Sequence, residues 1–274
     1  MSSAIGAPPP VNLNVPVVIL CGGKGTRIRD AGDLRPKPML DIGGQPVLWH
    51  IMRIYAHHGF KNFVLALGYL GEQIKNFVLN YKAFTSDFTV TLGDRNAIAF
   101  HNNTEADDWR VTCVDTGPDT MTGGRVWRVR QHIHTDYFLL TYGDGVSTVD
   151  IPQLVRFHLA HGKVATVTGV HPPGRFGDLM VEQDRVVDFS EKRQTTEGFI
   201  NGGFFVLQRE FLDRYLDERE DLILERDPLE RLARDGQLMV YKHRGFWQCM
   251  DTFRDYQALN RLWDEGQAPW KVWS

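Results

Sequence analysis

Two glycine-bracketed segments carry most of the chemistry available to this chain. Cys21-Gly22-Gly23-Lys24-Gly25-Thr26-Arg27 follows the β-branched run Val15-Pro16-Val17-Val18-Ile19-Leu20. Gly22, Gly23 and Gly25 let backbone N–H groups approach a ligand with no side chain in the way, as a phosphate cradle requires. Two familiar phosphate loops are excluded by residue order. Ile28 stands where the dinucleotide fingerprint needs its last glycine, and Gly25 follows Lys24 where a Walker loop needs Gly-Lys-Ser/Thr. Arg27 closes the turn, and Arg35, Lys37 and the Pro36/Pro38 pair follow it. Cations on a proline-stiffened loop beside free amides suit a polyphosphate. The competing reading is a solvated basic loop. The place at the C-terminal end of an early strand, where open α/β sheets bind ligands, favours the ligand.

Gly143-Asp144-Gly145 follows a second buried run, Tyr137-Phe138-Leu139-Leu140-Thr141. A carboxylate between glycines at a strand end reaches a cation without steric interference, although Gly-Asp-Gly is also ordinary turn chemistry. Asp251 lies just before a helix expected to begin near Phe253. Its alternative role is an N-cap, for which Thr252 is an equal candidate. Two distant carboxylates beside a polyphosphate loop define a candidate Mg2+ site, because Mg2+ takes one or two carboxylates plus phosphate oxygens. Glu191-Lys192 and Asn201-Gly202-Gly203 offer a cation, an amide and exposed backbone, groups suited to a phosphorylated, hydroxyl-rich substrate. The histidines His57, His58, His132 and His134 have no metal-ligand spacing. No serine sits in a nucleophile elbow, and Cys21 lies among glycines better suited to phosphate.

The elements that must position these groups alternate along the chain. Strands are expected at 15–20, 63–67, 111–114, 137–141 and 165–170, and helices from Pro46 to Tyr55, Gly71 to Tyr81, Gly123 to His132 and Ile151 to His161. This alternation predicts βαβ units and a mainly parallel sheet. After Pro172 the texture changes to short strands at 179–181, 186–189 and 204–207, then helices from Glu210 and Asp227. The reading is a Pro-rich, mobile tail over 1–14 and one domain over 15–274. Residues 15–150 form its nucleotide-binding half, and 151–274 its substrate-binding and oligomerisation half.

The chain has 274 residues, 42% hydrophobic and 24% charged, with a formal net charge of −3. That composition excludes a mainly disordered or coiled-coil chain. The charge gives no general attraction to nucleic acid or anionic membrane, and no apolar run approaches the roughly 20 residues needed to span a bilayer. Three widely spaced cysteines form no zinc or disulfide framework, so a cytoplasmic protein is expected.

The stretch from Leu20 to Arg27, followed by Arg35-Pro36-Lys37-Pro38-Met39, resembles the signature of the sugar-1-phosphate nucleotidylyltransferases. Met121-Thr122-Gly123-Gly124-Arg125, Pro172-Pro173-Gly174-Arg175-Phe176-Gly177 and Gly245-Phe246-Trp247-Gln248 narrow the likeness to the cytidylyl branch. The resemblance implies a Rossmann-like mixed α/β sheet and Mg2+-dependent transfer from CTP to α-D-glucose 1-phosphate. The products would be CDP-glucose, for deoxysugar or cell-surface polysaccharide synthesis, and pyrophosphate. Leu20, Cys21, Gly22, Gly23, Lys24 and Gly25 would hold the nucleotide, with Thr26 and Arg27 at its phosphates and Lys37 near the α-phosphate. Thr120, Arg125 and Gly143 fall at nucleotide-contact positions, and Asp144 and Asp251 at metal positions. Lys192 and Asn201, with Gly177 and Glu191, fall on the sugar-phosphate side. Arg27, Lys37 and Asp144 would carry catalysis. The alternatives are the same transfer with UTP, dTTP or another sugar 1-phosphate, and a non-catalytic sugar-nucleotide sensor. Arg193 replaces the family's proline after Glu191-Lys192, and Asp178 and Cys249 also depart from the pattern. The family forms homo-oligomers, and Trp263, Trp270 and Trp273 are candidates to pack on a neighbour.

Overall fold

The unbroken apolar run ahead of the glycine turn forms strand β1 (Val17–Cys21), buried along its whole length. Its residues alternate between two cores: Val17, Ile19 and Cys21 face one, Val18 and Leu20 the other. Both faces are covered, which is why the run shows no polar alternation. Fully burying each Val or Ile side chain contributes roughly 1.5–3 kcal/mol. The computed structural model describes residues 10–23, 35–93, 97–102, 106, 108–171, 178–182, 185–190 and 198–273.

Seven strands of the described residues share one sheet. Besides β1 they are β2 (Asn62–Leu67), β3 (Arg110–Asp115) and β4 (Tyr137–Tyr142). With a short strand β5 (Gly145–Ser147) outside the sheet, the rest are β6 (Ala165–Val170), β7 (Ile200–Gln208) and β8 (Leu238–Lys242). The spatial order is β8-β6-β7-β4-β1-β2-β3. All neighbours are parallel except that β7 runs antiparallel to both β6 and β4. The expected mixed, mainly parallel sheet is therefore present, and strands before and after residue 150 join it together. An additional strand, β9 (Trp247–Cys249), pairs antiparallel with β5.

Helices cover both faces. On the first core lie α1 (Val47–His57), α4 (Ile151–His161) and α7 (Phe253–Asp264), with Ile74 of α2 (Gly71–Thr85). On the second lie α3 (Thr122–Val129), α5 (Glu210–Arg214) and α6 (Asp227–Arg234). Several details differ from the sequence reading, which did not include β5, β8 and β9. Helix α2 runs on past Tyr81 to Thr85, and α3 stops at Val129, where a 3-10 turn (Arg130–His132) takes over. A two-stranded ribbon (Phe88–Val90, Ile98–Phe100) follows α2 as well.

The end of the N-terminal segment is held rather than loose. The Asn12 backbone N–H donates to the Tyr137 hydroxyl at 3.1 Å, and Asn62 Nδ2 donates to the Asn14 carbonyl at 3.2 Å. The C-terminal tryptophans correct an expectation. Trp270 and Trp273 are buried against α1 inside this chain, where apolar burial is available without a neighbour. Trp270 Nε1 donates to His50 Nδ1 at 3.4 Å, and His50 Nε2 pairs with the Ile42 carbonyl at 2.9 Å.

Candidate active site

Strands β1 and β4 lie side by side and parallel, so the turns that follow them emerge together. The Gly143 N–H donates to the Leu20 carbonyl at 3.0 Å, and a methyl group on Gly143 would stand 2.7 Å from that oxygen. Glycine is required here by close approach of two backbones. Asp144 then projects from the edge of the sheet.

Asp251 reaches the same place by a different route. The β5–β9 pairing sets Cys249 opposite Gly145, and the Met250 N–H donates to the Asp144 carbonyl at 2.8 Å. The Thr252 side chain caps α7 in a capping box with Asp255, so Asp251 is not the cap. Lys37 stands in a 3-10 turn (Lys37–Met39) opened by Pro36. Its Nζ donates to Asp144 Oδ2 at 2.5 Å and to Asp251 Oδ1 at 2.9 Å. Burial disfavours the ammonium, yet Asp144 and Asp251 outweigh it and raise the Lys37 pKa above the ordinary lysine value. Three groups separated by more than a hundred residues in the chain thus form one charge cluster, ion-paired within hydrogen-bond distance.

Lys37 and Asp144 of this cluster stand at one wall of a cavity of about 220 Å3 lined also by Leu20, Gly22, Gly23, Thr120, Thr122, Arg125, Tyr142 and Gly143. The structure therefore brings together Leu20, Gly22, Gly23, Lys37, Thr120, Arg125 and Gly143 from the expected nucleotide set, with Asp144 from the expected metal pair. Cys21 is buried in the first core directly beside them. Lys24, Gly25, Thr26, Arg27, Gly177, Glu191 and Lys192 lie outside the described residues.

Two members of the set are committed to the protein. The Arg125 guanidinium is buried and donates to the carbonyls of Leu67 (3.0 Å), Gly117 (2.8 Å), Gly22 (3.1 Å) and Pro118 (3.3 Å). It also donates to Thr116 Oγ1 at 2.7 Å. Methyl groups on Gly22 or Gly68 would overlap it, so those glycines make room for an arginine as much as for a ligand. The Thr120 hydroxyl donates to Glu220 at 3.1 Å and accepts from Arg128 at 2.6 Å. Asn201, on β7, donates from Nδ2 to the Tyr142 hydroxyl at 3.0 Å.

Tyr142 and Glu225 were not singled out by sequence. Tyr142 lies one residue outside the Gly-Asp-Gly turn, and Glu225 has no motif around it. The thiols are not nucleophiles in this setting. Burial pushes the Cys21 pKa far up and that of Cys249 to about 11, so both are protonated near neutral pH. Among the described residues no group of three His, Cys, Asp or Glu side chains converges as a metal centre. The Asp144–Asp251 pair suits an ion that takes few protein ligands and shares the rest with a substrate.

A mainly parallel sheet that gathers a glycine turn, a lysine and two carboxylates at its C-terminal edge is laid out for phosphate chemistry. The sequence profile of the Nucleotidyl transferase family matches residues 16–265, and the chain belongs to that family. It is 47% identical over 257 residues to a glucose-1-phosphate cytidylyltransferase of Salmonella typhi, covering 93% of this chain and 98% of that one. A probable glucose-1-phosphate cytidylyltransferase of Bacillus subtilis (strain 168) is 43% identical over 256 residues, covering 93% and 99%. The crystal structure of HddC from Yersinia pseudotuberculosis superposes with a TM-score of 0.67 at 22% identity, covering 91% of this chain and 99% of that one, and so shares the fold.

Proposed function

We propose that this protein transfers the cytidylyl group of CTP to α-D-glucose 1-phosphate, releasing pyrophosphate and forming CDP-glucose. The observation that carries the reading is Lys37 held between Asp144 and Asp251 beside the glycine-turn cavity. The cytidylyltransferases at 47% and 43% identity support the choice of substrates.

Two anions must meet, so the chemistry is mainly positioning and charge neutralisation. A phosphate oxygen of the sugar 1-phosphate attacks the α-phosphorus in line, the bond to the β-phosphate oxygen breaks, and pyrophosphate departs with that electron pair. The attacking oxygen is already ionised, which is why no protein base is needed. Gly23, with open space on its side-chain face, offers unobstructed backbone to the triphosphate beside Gly22. Lys37 and Arg27 carry positive charge to its phosphates, and Lys192 and Asn201 hold the sugar phosphate.

Asp144 and Asp251 would hold Mg2+. Their oxygens already converge within 2.9 Å of one cationic nitrogen, so the donor set fits. Such an ion supplies charge neutralisation on the triphosphate.

The deciding experiment is a pyrophosphate-release assay over CTP, UTP and dTTP against a panel of sugar 1-phosphates. CTP with glucose 1-phosphate should give the highest kcat/KM. A faster pair would overturn the substrate assignment, and a binding module would give no release from any pair. Asp144→Ala should abolish metal-dependent release while keeping the wild-type circular dichroism. Near-normal turnover by that variant would sink the metal assignment.

The enzyme is proposed to work in the cytoplasm, supported by three free cysteines and by the absence of a helix, among the described residues, long and apolar enough to cross a membrane. It is also proposed to form homo-oligomers. Leu79, Phe84, Leu92 and the ribbon residues Phe88, Ile98 and Phe100 are apolar and exposed in the single chain. A monomeric mass by light scattering at micromolar concentration would contradict this.

A further inference from the structure

We propose that Glu225 is a positioning residue that fixes, through the Tyr142 hydroxyl, the orientation of the Asn201 amide toward the sugar phosphate. The proposal rests on the placement of Asn201 on the sugar-phosphate side.

Glu225 precedes α6 and is half-buried. Its Oε1 accepts from the Tyr142 hydroxyl at 2.6 Å and its Oε2 from Thr122 Oγ1 at 2.7 Å. The single hydroxyl hydrogen of Tyr142 is directed at Glu225 by this contact. The Tyr142 oxygen is then left as an acceptor. Asn201 must therefore present its NH2 group, at 3.0 Å, and not its carbonyl.

A second contact demands the same orientation independently. The Gly203 N–H donates to Asn201 Oδ1 at 2.9 Å. With the carbonyl facing Gly203 and one Nδ2 hydrogen on Tyr142, the other Nδ2 hydrogen has no partner among the described residues. Asn201 is exposed, so that hydrogen is available to a phosphate oxygen or a sugar hydroxyl.

The support beneath this arrangement is rigid. Gly203 has φ +79°, and a methyl group there would overlap the Tyr142 ring, so the ring packs on the glycine face. Trp247 Nε1 donates to the Gly202 carbonyl at 2.8 Å, tying the same segment to β9. Because Thr122 lines the nucleotide cavity and shares the Glu225 carboxylate, one anion braces both substrate sides. Burial, followed by the charge of Glu225, raises the Tyr142 pKa, which keeps the phenol protonated as the geometry requires.

The test is a double-mutant cycle on steady-state kinetics. Tyr142→Phe and Glu225→Leu should each raise the KM for the sugar 1-phosphate about three- to tenfold, the size of one lost hydrogen bond, with a smaller effect on kcat. In an Asn201→Ala background Tyr142→Phe should add nothing, because the two residues act as one unit. A merely structural role would instead give multiplying effects and a lowered Tm. Unchanged KM in both single variants, or multiplying effects in the cycle, would overturn the proposal. Should Tyr142→Phe fail to fold, Glu225→Leu, which removes the acceptor oxygen while keeping side-chain bulk, carries the same test. The wild type's substrate panel reports on cytidylyl transfer to glucose 1-phosphate, and the cycle is run on whichever sugar 1-phosphate it turns over. If it turns over none, the cycle is read from calorimetric Kd values for glucose 1-phosphate.

Discussion

Lys37 has two demands on one charge. Without substrate its ammonium neutralises Asp144 and Asp251, and in the proposed reaction the same ammonium is needed at the α-phosphate. A divalent ion on the carboxylate pair would replace the lysine as their counter-charge and release it toward the nucleotide. Lys37→Met separates these roles. Its kcat should fall by roughly a hundredfold or more, as for other lost electrostatic contacts to a transition state. Mn2+ binding without nucleotide, followed by electron paramagnetic resonance, should tighten several-fold because the resident competitor is gone. Weaker Mn2+ binding would mean that lysine and metal do not share the site. Residue types made Asp144 and Asp251 legible as a candidate metal pair and Lys37 as a phosphate cation, but not the bridging of both carboxylates by the lysine, because three distant segments meet there. Sequence spacing held no sign that Arg125 would turn inward. That depends on Gly22 and Gly68 from two other strand ends leaving space for its guanidinium.

Arg125 shows its importance at the level of the element. The second and third residues of helix α3 are glycines that let it lie against the 219–222 segment: a methyl on Gly124 would stand 2.6 Å from the Arg219 carbonyl. Its first amides are used there too, the Met121 N–H on the Glu220 carbonyl and the Gly123 N–H on that of Leu222, each at 2.8 Å. The start of α3 is therefore a packing joint, and its anion-binding potential is already satisfied. From this joint Arg125 reaches across the strand ends and fastens the turns after β1, β2 and β3. Arg125→Lys keeps the charge and loses the fork, leaving several buried carbonyls unsatisfied. Stability in urea should drop by roughly 2–4 kcal/mol, and nucleotide affinity should fall with it. A loss below about 0.5 kcal/mol would show that the clamp is not needed. The elements themselves were readable where an unbroken apolar run marked a buried strand, as in β1 and β4, or an apolar stripe marked a helix, as in α1 and α4. Strands β8 and β9 were not, because each is short and only half-buried and gains its partner from a distant segment.

Across the whole molecule the same burial that builds two cores makes them sensitive to acid. His50 is enclosed by Trp263, Trp270 and Trp273, and its ring nitrogens are held by the Ile42 carbonyl and the Trp270 indole N–H. His158 sits between Thr166 Oγ1, at 2.9 Å, and Gln208 Nε2, at 3.0 Å. Both environments suit a neutral imidazole with one donor and one acceptor nitrogen. Burial lowers the His50 pKa to about 4 and that of His158 to about 3, the latter with added repulsion from His161. In the unfolded chain both rings titrate near 6.5. Below that value the unfolded state binds protons that the native state refuses, so stability is fully present above about pH 6.5 and is lost as pH falls toward 3. At pH 4.5, two units below the unfolded value, each ring should have withdrawn roughly 2–3 kcal/mol. His158→Gln retains an amide donor and acceptor but cannot titrate. Its urea midpoint should therefore fall less between pH 7.0 and 4.5 than that of the wild type. An equal fall, or an NMR titration in which the His158 ring protonates near pH 6.5 in the folded protein, would refute this source of acid lability.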